Sequence, residues 1–181
     1  MDLCALPDGR VVTIRPIRPD DIERLRLSHE RLSPESRYRR FMSPKPHLTA
    51  ADAHYLVDID GRDHYALVAT MAEPEGEAIV AVARFVRRPD DPAIAEFAIV
   101  VGDRWQRQGL AGELLGRLAD AAVTRGVQRF EAIVLADNLP IQMLIRDLAG
   151  GPVRRRRDGN IVELSFPLAV RHPGAPAIIA G

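Results

Sequence analysis

Apolar and polar positions along this chain follow two periods, and the switches between them mark its elements. Residues 11–17 ("VVTIRPI") alternate after the turn-forming "PDGR" and read as a strand. Asp20 or Asp21 caps a helix running to about Leu32, with Ile22, Leu25 and Leu27 partly on one face. Ser33-Pro34 is a cap followed by proline at the first helical position, so a second short helix follows. Thr49 caps a third, "AADAHYLVD". Residues 64–71, 78–86 and 93–101 are strand-like runs separated by "AEPEGE" and "RRPDDP", which makes an antiparallel meander. From Gly109 to about Arg125 the period becomes helical: Leu110, Leu114, Leu115, Leu118, Ala121 and Ala122 form one stripe, closed by Gly126. A strand over 129–136 follows. After it come a short helix from an Asn138 cap to a double glycine and a hairpin around Asp158-Gly159. No repeat or linker divides the chain. The expectation is one domain over 1–168 and a flexible tail over 169–181.

Composition narrows the function classes. The 25 basic and 25 acidic residues cancel, so no global field points to nucleic acid or an anionic membrane. Cys4 is the only cysteine, which rules out an internal disulfide and a cysteine metal cluster, and fits a reducing cytoplasm. No apolar run approaches a membrane span, and no signal peptide is evident. No metal site is expected. His29-Glu30 lacks a second histidine four residues on, and His54 and His64 have no ligand spacing. "RRRR" at 154–157 reads as an exposed strand beside a turn, since no aromatics interleave it.

The stretch "VGDRWQRQGLAGELLGRLADAA" carries the chemistry. A polar turn with glycines runs straight into a helix. At a helix start several N–H groups lack partners, and the dipole adds about half a positive charge, so an anion is favoured there. Gly109 and Ala111 remove bulk where a phosphate must approach, and Arg107 can add a charge-assisted contact. Taken alone, the pattern is better explained as a glycine loop before an ordinary helix. A Walker loop and a dinucleotide fingerprint are both unmatched.

Gln106-Arg107-Gln108-Gly109-Leu110-Ala111 resembles the Q/R-x-x-G-x-G/A signature of the GCN5-related N-acetyltransferases (GNAT), with Val101 five residues ahead and a Leu-rich helix at once behind. The N-terminal half is similar to the acetyltransferase domain of bacterial protein-lysine acetyltransferases. The resemblance covers roughly 11–168 and implies an α/β fold: a mixed, mostly antiparallel sheet with helices on both faces. It implies acetyl-CoA as co-substrate. The pyrophosphate would lie on amides from Gln106 through Arg107, Gln108, Gly109, Leu110 and Ala111 to Gly112. The pantetheine arm would pair with the backbone of Ile99 and Val101 in the segment Ile99-Val100-Val101, beside a splay between that strand and "RFEAIVLA". Asn138 would contact the cofactor; a plain helix cap explains it equally well.

The acceptor would be a primary amine, a protein lysine preferred over a small molecule. An alkyl ammonium of pKa about 10.4 is neutral in only about one molecule in a thousand near pH 7.4, so a base helps. Glu96 interrupts an apolar strand and is the expected general base, and burial of a carboxylate there would push it toward the useful range. The usual tyrosine acid is absent, because that position is Ile145. Tyr38, Tyr55 and Tyr65 read as structural. Trp105 reads as a packing anchor. Arg37, Arg39 and Arg40 read as a solvated helix face, with recognition of an acidic acceptor as the alternative. A non-catalytic acyl-CoA sensor is the reading from another class; Glu96 argues against it.

Overall fold

The computed structural model describes residues 2–169, so most of the expected flexible tail lies outside the described residues. The chain runs β1 (Asp2–Ala5), β2 (Val11–Pro16), α1 (Ile22–Glu30), α2 (Pro34–Phe41), α3 (Ala50–Val57), β3 (His64–Glu73), β4 (Gly76–Arg87) and β5 (Ile94–Val101). It continues through α4 (Leu110–Thr124), β6 (Arg129–Leu135), α5 (Leu139–Leu148), β7 (Arg154–Asp158) and β8 (Ile161–Pro167). The eight strands form one sheet in the order β1-β2-β3-β4-β5-β6-β8-β7, antiparallel except for β5 beside β6. The α4 helix supplies the crossover that a parallel pair requires.

Strand alternation gives the sheet two covered faces. On one, α4 and α5 pack on Phe85, Phe97, Phe130 and Phe166, whose rings stand 5.2 Å (Phe97–Phe130) to 6.2 Å (Phe130–Phe166) apart. On the other, α1–α3 cover β3 and β4 through Leu25, Leu56 and Val57 against Val68 and Val82. That second layer reaches only the end of β5, at Val100, and leaves β6–β8 uncovered there.

Two expectations need correcting. The β1 strand pairs with β2 from Asp2↔Ile14 to Ala5↔Val11, although "DLCA" has no alternation long enough to signal a strand. Asp21 occupies the α1 cap position without making a side-chain cap bond. Its carboxylate is fully buried and accepts from both guanidinium nitrogens of Arg15, at 2.7 and 2.8 Å, and from the Arg18 N–H at 2.9 Å. A buried cation in need of a counter-ion outcompetes a helix amide. Ser33 and Thr49 do cap α2 and α3 through the N–H groups of Ser36 and Asp52.

One buried pair makes stability depend on pH. His64 Nε2 accepts from Arg84 Nη1 at 3.1 Å, with the Tyr55 ring stacked 5.2 Å away. Burial, and then the Arg84 charge, hold the imidazole down to about 4, against a smaller upward pull from Asp60. The neutral form is therefore favoured by folding. Its contribution is fully present above the ordinary histidine value of about 6.5 and drains as pH falls from there to about 4. Denaturant midpoints should drop across that window, and His64→Gln, which keeps an acceptor but cannot titrate, should flatten the drop.

Candidate active site

The parallel pairing of β5 with β6 is short. It runs Ile94↔Arg129, Ala95↔Phe130, Glu96↔Glu131 and then stops, while β5 stays paired with β4 through Val101. Beyond Glu96 the two strands diverge. The Gly102 N–H donates to Val80 O at 2.9 Å, and Arg88 N–H to Ile94 O at 2.9 Å, so even-numbered β5 residues direct their backbone at β4. Ile99 and Val101 direct theirs into the splay. The Val101 carbonyl already accepts from Gln106 Nε2 at 3.1 Å, which leaves its N–H and both groups of Ile99 open. Val100 does not share that placement: its backbone faces β4 and its side chain packs against the α1–α3 layer.

At the end of β5 the chain turns sharply into α4. Gln106 is extended, Arg107 has φ 61° and Gly109 has φ 77°. Left-handed geometry at a non-glycine residue is uncommon, and alternation of this kind aims successive N–H groups into one concavity. Six consecutive amides, Arg107 to Gly112, have no acceptor among the described residues; the next, Glu113, bonds to Gly109 O at 3.1 Å. Leu110 is buried and anchors the helix start in the core. The arrangement is an anion cradle at the positive end of a 15-residue helix.

The two glutamines of the turn hold its shape. Gln106 Nε2 bridges Val101 O and Ser36 Oγ, and Gln108 accepts from Arg10 Nη2 at 2.9 Å while donating to Arg104 O. The Arg10 guanidinium lies 3.8 Å over the Trp105 ring. Sequence reasoning missed Asp103. It accepts from the Ser33 N–H, Ser33 Oγ and Ser36 Oγ, each at 2.8 Å, and so ties the cradle to the start of α2. Burial opposes ionisation of Asp103, but those donors prevail and hold it below the usual carboxylate range. Contacts across about seventy residues leave no local signal.

Glu96 stands at the vertex of the splay as the last β5 residue paired with β6. Its side chain is exposed, which corrects the expected burial: the α1–α3 layer stops short of it. It makes no hydrogen bond or ion pair with the described residues. Glu131 faces the same side of the sheet, but Arg88 at 3.3 Å and Ser165 at 3.4 Å hold it. Asn138 makes no cap bond at the start of α5, and Ile145 is fully buried in the core. A cleft of about 490 Å³ opens at the mouth of the splay, between Leu135–Asp137 at the end of β6, Arg157 and Asn160 of the hairpin, and Glu35, Tyr38 and Arg39 of α2. Tyr38 therefore lines the site. Tyr65 packs on Phe85 beneath Arg125, and Tyr55 on His64. Among the described residues no cluster of His, Cys, Asp or Glu is placed to hold a metal ion.

A sheet pried open beside a helix-terminal amide cradle, with a free carboxylate at the vertex, defines an α/β domain of the acyl-transfer class. The chain belongs to the GNAT acetyltransferase family, whose domain matches residues 12–149. It is 36% identical over 172 residues to the acetyltransferase Pat of Mycolicibacterium smegmatis, covering 94% of this chain and 50% of that protein; the chain thus spans half the length of this relative. The GNAT domain of S. lividans PAT superposes with a TM-score of 0.79 at 34% identity, over 92% of this chain and 96% of that domain. The yncA acetyltransferase of Salmonella typhimurium, solved with its cofactor acetyl-CoA, shares the fold at 19% identity and a TM-score of 0.65, over 92% and 98% of the chains.

Proposed function

We propose that this domain transfers the acetyl group of acetyl-CoA to a primary amine, preferably the side chain of a protein lysine, by direct attack in a ternary complex. The observation that carries the reading is the run of six unpaired amides at the head of α4, beside the open edge of β5. The pyrophosphate lies in that cradle, and the pantetheine amides pair with Ile99 and Val101 as a strand would. The thioester then reaches the vertex of the splay. Asn138, which makes no side-chain cap bond at the start of α5, contacts the cofactor.

Glu96 takes a proton from the acceptor ammonium, directly or through a water. The freed amine attacks the thioester carbonyl, the C–S bond breaks, and coenzyme A leaves as a thiolate. A thiolate of pKa about 8.5 is a fair leaving group and takes its proton from solvent in the open cleft. The lysine preference rests on the likeness to Pat and on a cleft wide enough for a side chain presented from outside. Mass spectrometry of a lysate incubated with the protein and isotopically labelled acetyl-CoA tests the acceptor class. Label on protein lysines is the expected result, and label confined to small amines would overturn it.

A further inference from the structure

We propose that the small cavity between the α1–α3 layer and strands β4–β5 binds a monovalent anion, held by the guanidinium groups of Arg40 and Arg84. Arg84 is only 5% exposed. Its Nη1 donates to His64 Nε2 at 3.1 Å and its Nη2 to Leu56 O at 3.2 Å, both uncharged partners. Its Nε is buried and has no acceptor. Arg40 lines the same cavity, half-buried, with its guanidinium 4.8 Å over the Phe41 ring, and among the described residues it pairs with no carboxylate. The other polar groups on the wall are Ser28 and His29, and the His29 Nε2 is engaged with Lys45 O at 2.8 Å. Among the described residues no acidic side chain lines the cavity.

Two cations on one cavity without a counter-charge are a costly arrangement, because low dielectric penalises each charge and magnifies their repulsion. The same chain solves the problem differently a few strands away. Arg15, equally buried, is matched by Asp21 at 2.7 Å and Glu77 at 2.7 Å. On α2, Arg39 pairs with Glu35 at 2.7 Å while its neighbour Arg40 turns inward with nothing to meet. Burial lowers both guanidiniums, Arg40 to about 10 and Arg84 to about 9, the latter also through the charge of Arg40, and both remain cationic at neutral pH. An anion delivered from outside supplies the missing charge and an acceptor for Arg84 Nε.

Charge and room set the class. The centre of a water-sized group has about 30 Å³ in which to sit, which admits chloride or the end of a carboxylate. Arg84 stands opposite Ala98 in the β4–β5 ladder, two residues along the same face from Glu96. The anion is therefore either a free ion or a carboxylate carried by the acceptor itself.

The test uses the full chain. Thermal melts in sodium chloride, sodium formate and sodium gluconate are compared at equal ionic strength; the last anion is too bulky to enter. Chloride and formate should raise Tm above gluconate by several degrees, and Arg84→Met should abolish the difference. Arg40→Gln serves the same purpose if Arg84→Met does not fold. A bromide-soaked crystal should place an anomalous peak within hydrogen-bond reach of Arg84 Nε. Equal anion responses in wild type and variants, or a water in place of bromide, would overturn the proposal. Neither readout depends on acetyl transfer. Chloride that raises KM for a carboxylate-bearing acceptor but not for its amide assigns the site to the acceptor. Chloride that leaves both KM values unchanged while raising Tm assigns it to a free ion.

Discussion

Glu96→Gln is expected to slow acetylation of a lysine amine by roughly 10²–10⁴-fold at neutral pH while leaving acetyl-CoA affinity within about threefold of wild type. The substitution keeps shape and hydrogen-bonding capacity and removes basicity alone. Cofactor affinity holds because Glu96 belongs to the last paired step of β5 and β6, before the amides that receive the cofactor begin. Among the described residues nothing grips the Glu96 carboxylate, whereas Glu131 beside it is held by Arg88 and Ser165, which favours Glu96 as the proposed base. The deficit should shrink as pH rises, because more acceptor becomes neutral unaided. Profiles of kcat/KM against pH for both proteins make the comparison. Coincident profiles would remove Glu96 from the mechanism. A wild type that binds acetyl-CoA yet acetylates neither lysates nor small amines would replace the enzyme with a sensor.

The second large effect is on cofactor binding. Gly109→Val should weaken acetyl-CoA affinity by roughly 10–100-fold, corresponding to about 1–3 kcal/mol of backbone strain relieved at the expense of the cradle. The reason is conformational. Gly109 sits at φ 77°, where a β-branched residue is a genuine outlier. Relaxing that residue toward negative φ turns the neighbouring amides out of the concavity. A Cβ at this position meets no protein atom within 4 Å, so the fold itself survives, and a single cooperative melt without ligand checks this. Gly109→Ala should fall between the two. Undiminished affinity in a folded Gly109→Val protein, measured calorimetrically, would move the phosphate site elsewhere.

The cradle is also coupled mechanically to the acceptor side. Asp103 and Gln106 hold Ser33 and Ser36 at the start of α2, and one turn later Tyr38 and Arg39 of that helix face the cleft. A ligand that orders the amides therefore also fixes one wall of the space into which an acceptor must enter.

The elements of this fold were legible from local rules because local physics specifies them. The Leu110–Ala122 stripe dictates a helix with one buried side, and that helix lies where the stripe requires. The caps at Ser33 and Thr49 are satisfied by amides three residues away, within the reach of sequence patterns. The turn from Gln106 to Gly109 was readable only through its resemblance to the family signature, since a glycine beside a helix start is also an ordinary loop. Asp21 and Glu96 defeated the same reasoning. A cap-forming aspartate was claimed by an arginine that folding brings alongside it, and a carboxylate in an apolar strand was assumed buried when its covering layer ends short of it.

Sequence alone therefore determined the order and type of the elements from β2 onward and the six-residue segment that resembles the family signature. Each depends on periodicity, caps and backbone freedom, all of which act within a few residues. Only the tertiary structure decided that β5 and β6 separate after Glu96, that Asp103 fastens the cradle to α2, that Tyr38 reaches the cleft, and that Arg40 and Arg84 share a cavity without a counter-ion. Those facts depend on where one layer stops against another, and burial and charge pairing are properties of the assembled layers.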